Sequence, residues 1–205
     1  MEIKNPNDYI EDLYRDYAMM GAQAFVGRTG MKEFCPVIQT ETARLLMLLL
    51  RAKRPEKVLE IGTSIGYSAT SMAGVIRGWG GRITTIEFDE KVAEQARRNF
   101  ALAGVSDAVD LVIGDALELL PRMRERYDFI FLDPFNDIYM RLMEDCVRLL
   151  NRGGILVADD TLFPVLKNEG LDSPLHGFNK YIATNADLES TILPVGDGVT
   201  IAVRK

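Results

Sequence analysis

A chain of 205 residues is long enough for one α/β domain with a well-buried core and leaves little for a second. Apolar residues make up 47% and charged residues 26%, ordinary globular usage that excludes a disordered chain. The formal charge of −6 argues against a broad basic face for a nucleic-acid backbone, though not against a local patch.

In chain order, Met1 to Asp16 is polar and acidic and has no apolar stretch of the kind a signal peptide needs. Tyr9, Leu13, Tyr17 and Met20 recur at helical spacing, which predicts a first helix over Asn7 to Ala24. A Gly- and Lys-containing loop then leads to Cys35-Pro36. A second helix is expected from Gln39 to Ala52, with Thr40-Glu41-Thr42 as capping residues. Its Leu45 to Leu50 segment is the longest apolar run and is far too short to span a bilayer, so a cytoplasmic protein without a membrane partner is expected. Cys35 and Cys146 are distant in sequence and outside any paired spacing, which supports neither a disulfide framework nor a zinc site.

Beyond Lys57 the pattern becomes short apolar runs alternating with helical stretches. The runs are 58–61, 83–86, 109–113, 129–132 and 155–158, and the helical stretches between them are 68–76, 90–103, 116–124 and 139–150. Such alternation predicts a doubly wound, mostly parallel sheet covered on both faces. Residues 188–193 and 199–203, separated by Gly196-Asp197-Gly198, read as a closing antiparallel hairpin. The organisation expected is a single domain over 1–205, with N-terminal helices over 1–54 and an α/β core over 55–205.

In such sheets a ligand lies at the carboxyl ends of the strands. The first end reads Glu60-Ile61-Gly62-Thr63-Ser64-Ile65-Gly66-Tyr67-Ser68, where two glycines permit a tight turn and close approach of a ligand. It lacks both the three-glycine dinucleotide fingerprint and a triphosphate-loop lysine. At the second end Glu87 can accept from both hydroxyls of a ribose. At the third, Gly114-Asp115-Ala116 puts a carboxylate and a backbone amide where an adenine edge could lie. Each has a plainer alternative: Glu60 in an ion pair, Glu87 as an exposed strand-end charge, Asp115 as a helix N-cap.

The Glu60–Ser68 motif resembles the first motif of the metal-dependent O-methyltransferase family, which includes catechol and caffeoyl-CoA O-methyltransferases and many bacterial relatives. Tyr127 to Asp133 is similar to that family's fourth strand, and Leu193 to Gly198 to its closing hairpin. The resemblance covers the chain after Pro36. It implies a Rossmann-like class I sheet and S-adenosylmethionine bound near Ile38, Glu60, Gly62, Thr63, Tyr67, Ser68, Glu87, Asp115, Ala116 and Asp133.

Asp133 ends the fourth run and Asp159-Asp160 the fifth, so three carboxylates meet at neighbouring strand ends. Crowded carboxylates repel unless they share a proton or a hard cation such as Mg²⁺; the plainer alternative is that these aspartates cap turns. The family holds its metal at the positions of Asp133, Asp159 and Asp160, the last commonly Asn. It also has a lysine base three residues after the first metal aspartate, where this chain has Asn136. Asp133 and Asn136 are thus the residues placed at the reacting oxygen; either the metal alone suffices without the missing base, or a residue such as Lys167, His176 or Lys180 substitutes for it. The acceptor implied is small, hydroxylated and catechol-like, and is shaped by loops around Gly27 to Phe34 and Leu162 to Gly177. Three alternatives remain open: tRNA 5-hydroxyuridine, which a bacterial branch of the family methylates; an exocyclic amine, through Asp133-Pro134-Phe135; and donor binding without catalysis. A homodimer is expected through the aromatic-rich first helix.

Overall fold

The computed structural model describes residues 6–14, 20–29 and 36–205. Among these residues three helices precede the sheet: α1 (Pro6–Leu13), α2 (Ala22–Thr29) and α3 (Thr40–Lys53). Strands and helices then alternate as β1 (Lys57–Ile61), α4 (Tyr67–Ile76), β2 (Arg82–Glu87), α5 (Glu90–Ala103), β3 (Val109–Ile113), α6 (Ala116–Leu119), β4 (Tyr127–Leu132), α7 (Tyr139–Leu149) and β5 (Leu150–Ala158). The chain continues through α8 (Phe163–Leu166), α9 (Pro174–Thr184), β6 (Leu188–Leu193) and β7 (Val199–Arg204).

The seven strands form one sheet in the order β3-β2-β1-β4-β5-β7-β6. Strands β1 to β5 pair in parallel, and only β7 runs the other way, antiparallel to both β5 and β6. The class of fold expected from the alternation is therefore present, its closing antiparallel hairpin included. Within that hairpin β7 is inserted between β5 and β6, and β6 takes the edge.

Strand side chains alternate between two cores, one per face. Val58, Phe129, Phe131 and Val157 join the core under α3 and α4, whereas Leu59, Ile130, Leu132 and Leu156 join the one under α7 and α9. By the same alternation Glu60, Thr85 and Glu87 face the α3–α4 side.

Several boundaries differ from the sequence expectation. The single helix over 7–24 is two elements: α1 ends at Leu13, and α2 starts after Gly21, where the Ala22 N–H donates to Thr40 Oγ1 at 3.1 Å. Tyr17 lies outside the described residues. The helix expected over 116–124 is α-helical only to Leu119, because Pro121 has no N–H to continue the ladder, and residues 120–122 tighten into a 3₁₀ turn. The stretch 162–177, expected as loop, contains α8 and the start of α9. Pro174 at the first turn, with Leu175, Phe178 and Ile182 buried on one face, is what makes α9 a helix.

Candidate active site

The parallel ladder runs one residue past the strand ends. Gly62 N–H donates to Ile86 O (3.1 Å), Gly114 N–H to Glu87 O (2.8 Å), Asp133 N–H to Ile61 O (2.9 Å) and Asp159 N–H to Leu132 O (3.0 Å). These bonds place the sequence-predicted residues side by side along one rim.

The turn after β1 is built by conformation. Gly62 has φ +94°, and a Cβ there would lie 2.2 Å from the Asp133 carbonyl oxygen. Ser64 is also left-handed (φ 48°) and is held by its N–H to Glu87 Oε2 at 2.8 Å and by its hydroxyl to the Pro36 carbonyl at 2.7 Å. That second bond ties the Pro36–Ile38 segment to the turn, with Ile38 itself buried. From below, Asn99 of α5 donates to the Ile65 carbonyl at 2.8 Å.

Glu87 receives the Ser64 amide on one oxygen and the Asp89 amide on the other (3.0 Å), so its carboxylate is fixed while lone pairs remain for a ligand. It is half-buried, between the two alternatives the sequence left open. Asp115 does cap α6, its Oδ1 accepting from Leu117 N–H at 2.8 Å, and Ala116 is buried beside it.

Among the described residues, Glu60 is fully buried and makes no ion pair. Thr85 donates to its Oε2 at 2.5 Å, and Thr85 Oγ1 lies 2.5 Å from Thr63 Oγ1. The other oxygen, Oε1, is buried with no hydrogen-bond partner among the described residues. Burial pushes its pKa to about 7, eased by the Ser68 and Thr85 hydroxyls and raised further by the Glu87 charge. The sign follows: a carboxyl raised in the folded state contributes stability that is full below its ordinary value near 4.5 and is lost as pH rises through about 7. The ligand-free protein should therefore melt at a higher temperature at about pH 5 than at about pH 8, and Glu60→Gln should flatten that slope; melting curves of both proteins across this range test it.

Two predicted binding residues point elsewhere. Tyr67 inserts into the core, its ring 5.2 Å from that of Phe25 and its hydroxyl on the Met20 carbonyl at 3.1 Å. Thr63 is spent on Thr85, so at both positions only the backbone faces the turn. Ser68 is buried in the first turn of α4, beside Glu60.

At the ends of β4 and β5 the carboxylates raise one another. Burial lifts Asp133 well above the carboxylate range, helped by Asp159, Asp160 and Glu60. Asp159, 3% exposed, is pushed to about 7 by burial and by Asp160, with Asp197 adding and the Asp160 amide and Thr42 hydroxyl opposing. Asp160 rises to about 6 through burial and Asp197, against the pull of Lys167. Asp159 Oδ1 is buried with no hydrogen-bond partner among the described residues. Its carbonyl accepts from Tyr139 Oη at 3.2 Å beneath the rim.

Asp197 was missed as a member of this group: the sequence showed it only as a turn residue. The Leu162 N–H to Asp197 O and Thr161 N–H to Gly198 O bonds, both 3.0 Å, seat the hairpin turn against the segment after Asp160. The donor set suits a hard divalent ion in kind, with three oxygen acids whose mutual repulsion a cation would relieve and one orphaned oxygen. Among the described residues, however, no three His, Cys, Asp or Glu side chains stand in a ready ligating arrangement. Asn136 lies in a short 3₁₀ turn three residues past Asp133. Of the three substitutes for the missing lysine, only Lys167 acts electrostatically on the group, through Asp160. His176 is half-buried in the first turn of α9, and Lys180 is exposed.

Residues 25–205 match the family model described as O-methyltransferase. The chain is 30% identical over 213 residues to the catechol O-methyltransferase of Niastella koreensis, covering 96% of this chain and 95% of the relative. It is 37% identical over 141 residues to catechol O-methyltransferase B of Danio rerio, spanning 65% of this chain and about half (53%) of that protein. The crystal structure of a Bacillus cereus O-methyltransferase in complex with SAH superposes with a TM-score of 0.77 at 26% identity, over 96% of this chain and 97% of that one. Family model, full-length relative and a rim of strand ends with the first-motif turn agree: this chain belongs to the O-methyltransferase family and is an enzyme of that class.

Proposed function

We propose that the enzyme moves the methyl group of S-adenosylmethionine to a hydroxyl oxygen of a small, hydroxylated, catechol-like aromatic acceptor, with a divalent ion such as Mg²⁺ held by Asp133, Asp159 and Asp160. The observation that carries this reading is the carboxylate group at the ends of β4 and β5, one strand from the Gly62–Ser68 turn, with Asp159 Oδ1 buried and unpaired.

The sulfonium donor supplies the leaving group, so the protein's work is to bind, orient and dry the reactants. Glu87, already fixed by two backbone amides, accepts the ribose hydroxyls. The first turn of α4, with its free amides, suits the anionic end of the donor. A bound divalent ion would lower the pKa of the acceptor hydroxyl and make its oxygen a better nucleophile. Asn136 cannot take a proton at neutral pH; it can orient the acceptor by hydrogen bonding. Exposed Phe135, Val165, Leu166 and Leu171, on elements flanking the carboxylates, favour an aromatic acceptor over a tRNA backbone.

Turnover of donor with catechols, acyl-CoA phenols and hydroxyuridine tRNA, each with and without Mg²⁺, tests the reading. Methylation of a catechol only with ion supports it; exclusive tRNA methylation, or none with any acceptor, overturns it. Glu87→Ala should weaken donor binding by about 1–3 kcal/mol, the scale of losing hydrogen bonds to a charged acceptor, as measured by calorimetry.

The reading extends to assembly as a homodimer. On α1, Tyr9, Ile10 and Leu13 are exposed, an apolar surface that a second copy could cover. Light scattering at micromolar concentration should give twice the chain mass; a monomer would overturn this.

A further inference from the structure

Asp160 has a non-glycine backbone in the left-handed region, φ 61°. That conformation crowds Cβ against the carbonyl and persists only where the surroundings impose it. Both peptide groups that follow Asp160 are held. On one side the Thr161 and Leu162 amides donate to the Gly198 and Asp197 carbonyls of the hairpin turn. On the other side the Thr161 carbonyl accepts from Asn179 Nδ2 of α9 at 2.6 Å.

Asn179 turns its amide inward on α9. Half-buried itself, it stands at helical spacing beside the buried stripe of Leu175, Phe178 and Ile182, which joins the core that also contains Ala158 and Ala202. Among the described residues its Oδ1 is buried without a hydrogen-bond partner, as are the hydroxyls of Thr161 and Thr200. Thr200 pairs with Ala158 across the β5–β7 ladder and so faces the same core as α9. An aliphatic side chain would have filled this position without leaving polar atoms unpaired. The amide has one described use, the Thr161 carbonyl.

We infer that Asn179 is a positioning residue for Asp160: its hydrogen bond to the Thr161 carbonyl locks the left-handed turn that directs the Asp160 carboxylate back to Asp133 and Asp159. The hairpin fixes the amide side of Thr161 and α9 fixes the carbonyl side. With the α9 bond removed, Asp160 relaxes out of the left-handed region and its carboxylate leaves the group. The inference rests on the divalent-ion reading proposed above.

A double-mutant cycle tests it, with Mn²⁺ alone as the probe and calorimetric ion affinity as the readout. The four proteins are the parent, Asn179→Ala, Asp160→Asn and the double variant. Asn179→Ala should weaken Mn²⁺ binding about tenfold in the parent, the usual scale for losing a group that orients a ligand. In the Asp160→Asn background the loss should shrink to about twofold or less, because asparagine adopts the left-handed region more readily than aspartate and needs the clamp less. SAH affinity should be unchanged throughout. Equal losses in both backgrounds, as general loosening of the fold would give, or no loss in either, would overturn the inference while parent ion binding still stands. No Mn²⁺ binding by the parent would bring down the ion reading itself and this inference with it. If Asn179→Ala does not fold, Asn179→Ser serves: its hydroxyl keeps the pocket polar but is too short to reach the Thr161 carbonyl.

Discussion

Treating the enzyme with EDTA should abolish methyl transfer while leaving donor binding largely intact, and added Mg²⁺ or Mn²⁺ should restore it, since both ions favour oxygen ligands. Asp159→Ala should lower kcat by roughly three orders of magnitude, about 4 kcal/mol, because the acceptor would lose both its orientation and its lowered pKa. The loss should be larger there than at Asp160. Asp159 is the more deeply buried of the two and carries the orphaned oxygen, and Asp160→Asn keeps an oxygen able to coordinate. Steady-state kinetics of the two variants, with calorimetry of SAH binding as the control, decide the matter. Full turnover in EDTA would remove the ion from the mechanism and turn attention to Asp133-Pro134-Phe135 acting alone.

Gly62→Ala should be the most damaging small substitution in the donor turn. The added Cβ would sit 2.2 Å from the carbonyl oxygen and 2.6 Å from the carbonyl carbon of Asp133, backbone atoms of the adjacent strand end that cannot swing aside. It would also impose a side chain at φ +94°. Strain of this kind and forced displacement each cost about 1–3 kcal/mol, so a loss of about 3 kcal/mol or more in unfolding free energy is expected. The effect on activity should exceed the effect on stability. The atom that must move belongs to Asp133, so one methyl group would disturb the donor turn and the carboxylate group together. Urea denaturation measures the effect on stability, and steady-state kinetics with SAH calorimetry the effect on activity and donor binding. A variant with parent stability and parent donor affinity would show that the β1–β4 gap is wider than described.

The residues with a local signature were legible. Apolar runs of four or five residues became β1 to β4, and the carboxylates closing them arrived at one rim because parallel strands in register must end together. Glycine spacing marked the tight turn after β1, where Gly62 and Gly66 take positive φ. Features that depend on distant partners were not legible. Tyr67 reads like a turn residue available to a ligand, yet its side chain is claimed by Phe25 and the Met20 carbonyl, more than forty residues away in sequence. Asp197 reads as part of a tight turn, and its charge matters only because the hairpin docks beside Asp160. Helix α9 did carry a signal, Pro174 followed by Leu175, Phe178 and Ile182, but Gly177 and the polar residues around it obscured the spacing. Asn179 could not be singled out at all, since its value lies in a carbonyl it meets only in the folded chain.

The position of β7 bears on the order in which the sheet can assemble. Five strands can add one beside another as parallel crossovers, but β6 comes next in the chain and has no neighbour to receive it. Among the described residues its only strand partner is β7, which follows it. As the chain emerges from the ribosome, β6 must therefore wait as an unpaired strand, and β5 must keep one edge open, until residues 199–204 arrive. Sealing the sheet is then a single event in which a hairpin docks whole, with β7 slotting in against β5. The hairpin turn that completes this step carries Asp197 to Asp160, so the last pairing of the sheet also finishes the carboxylate group, and a chain stalled before β7 would have neither.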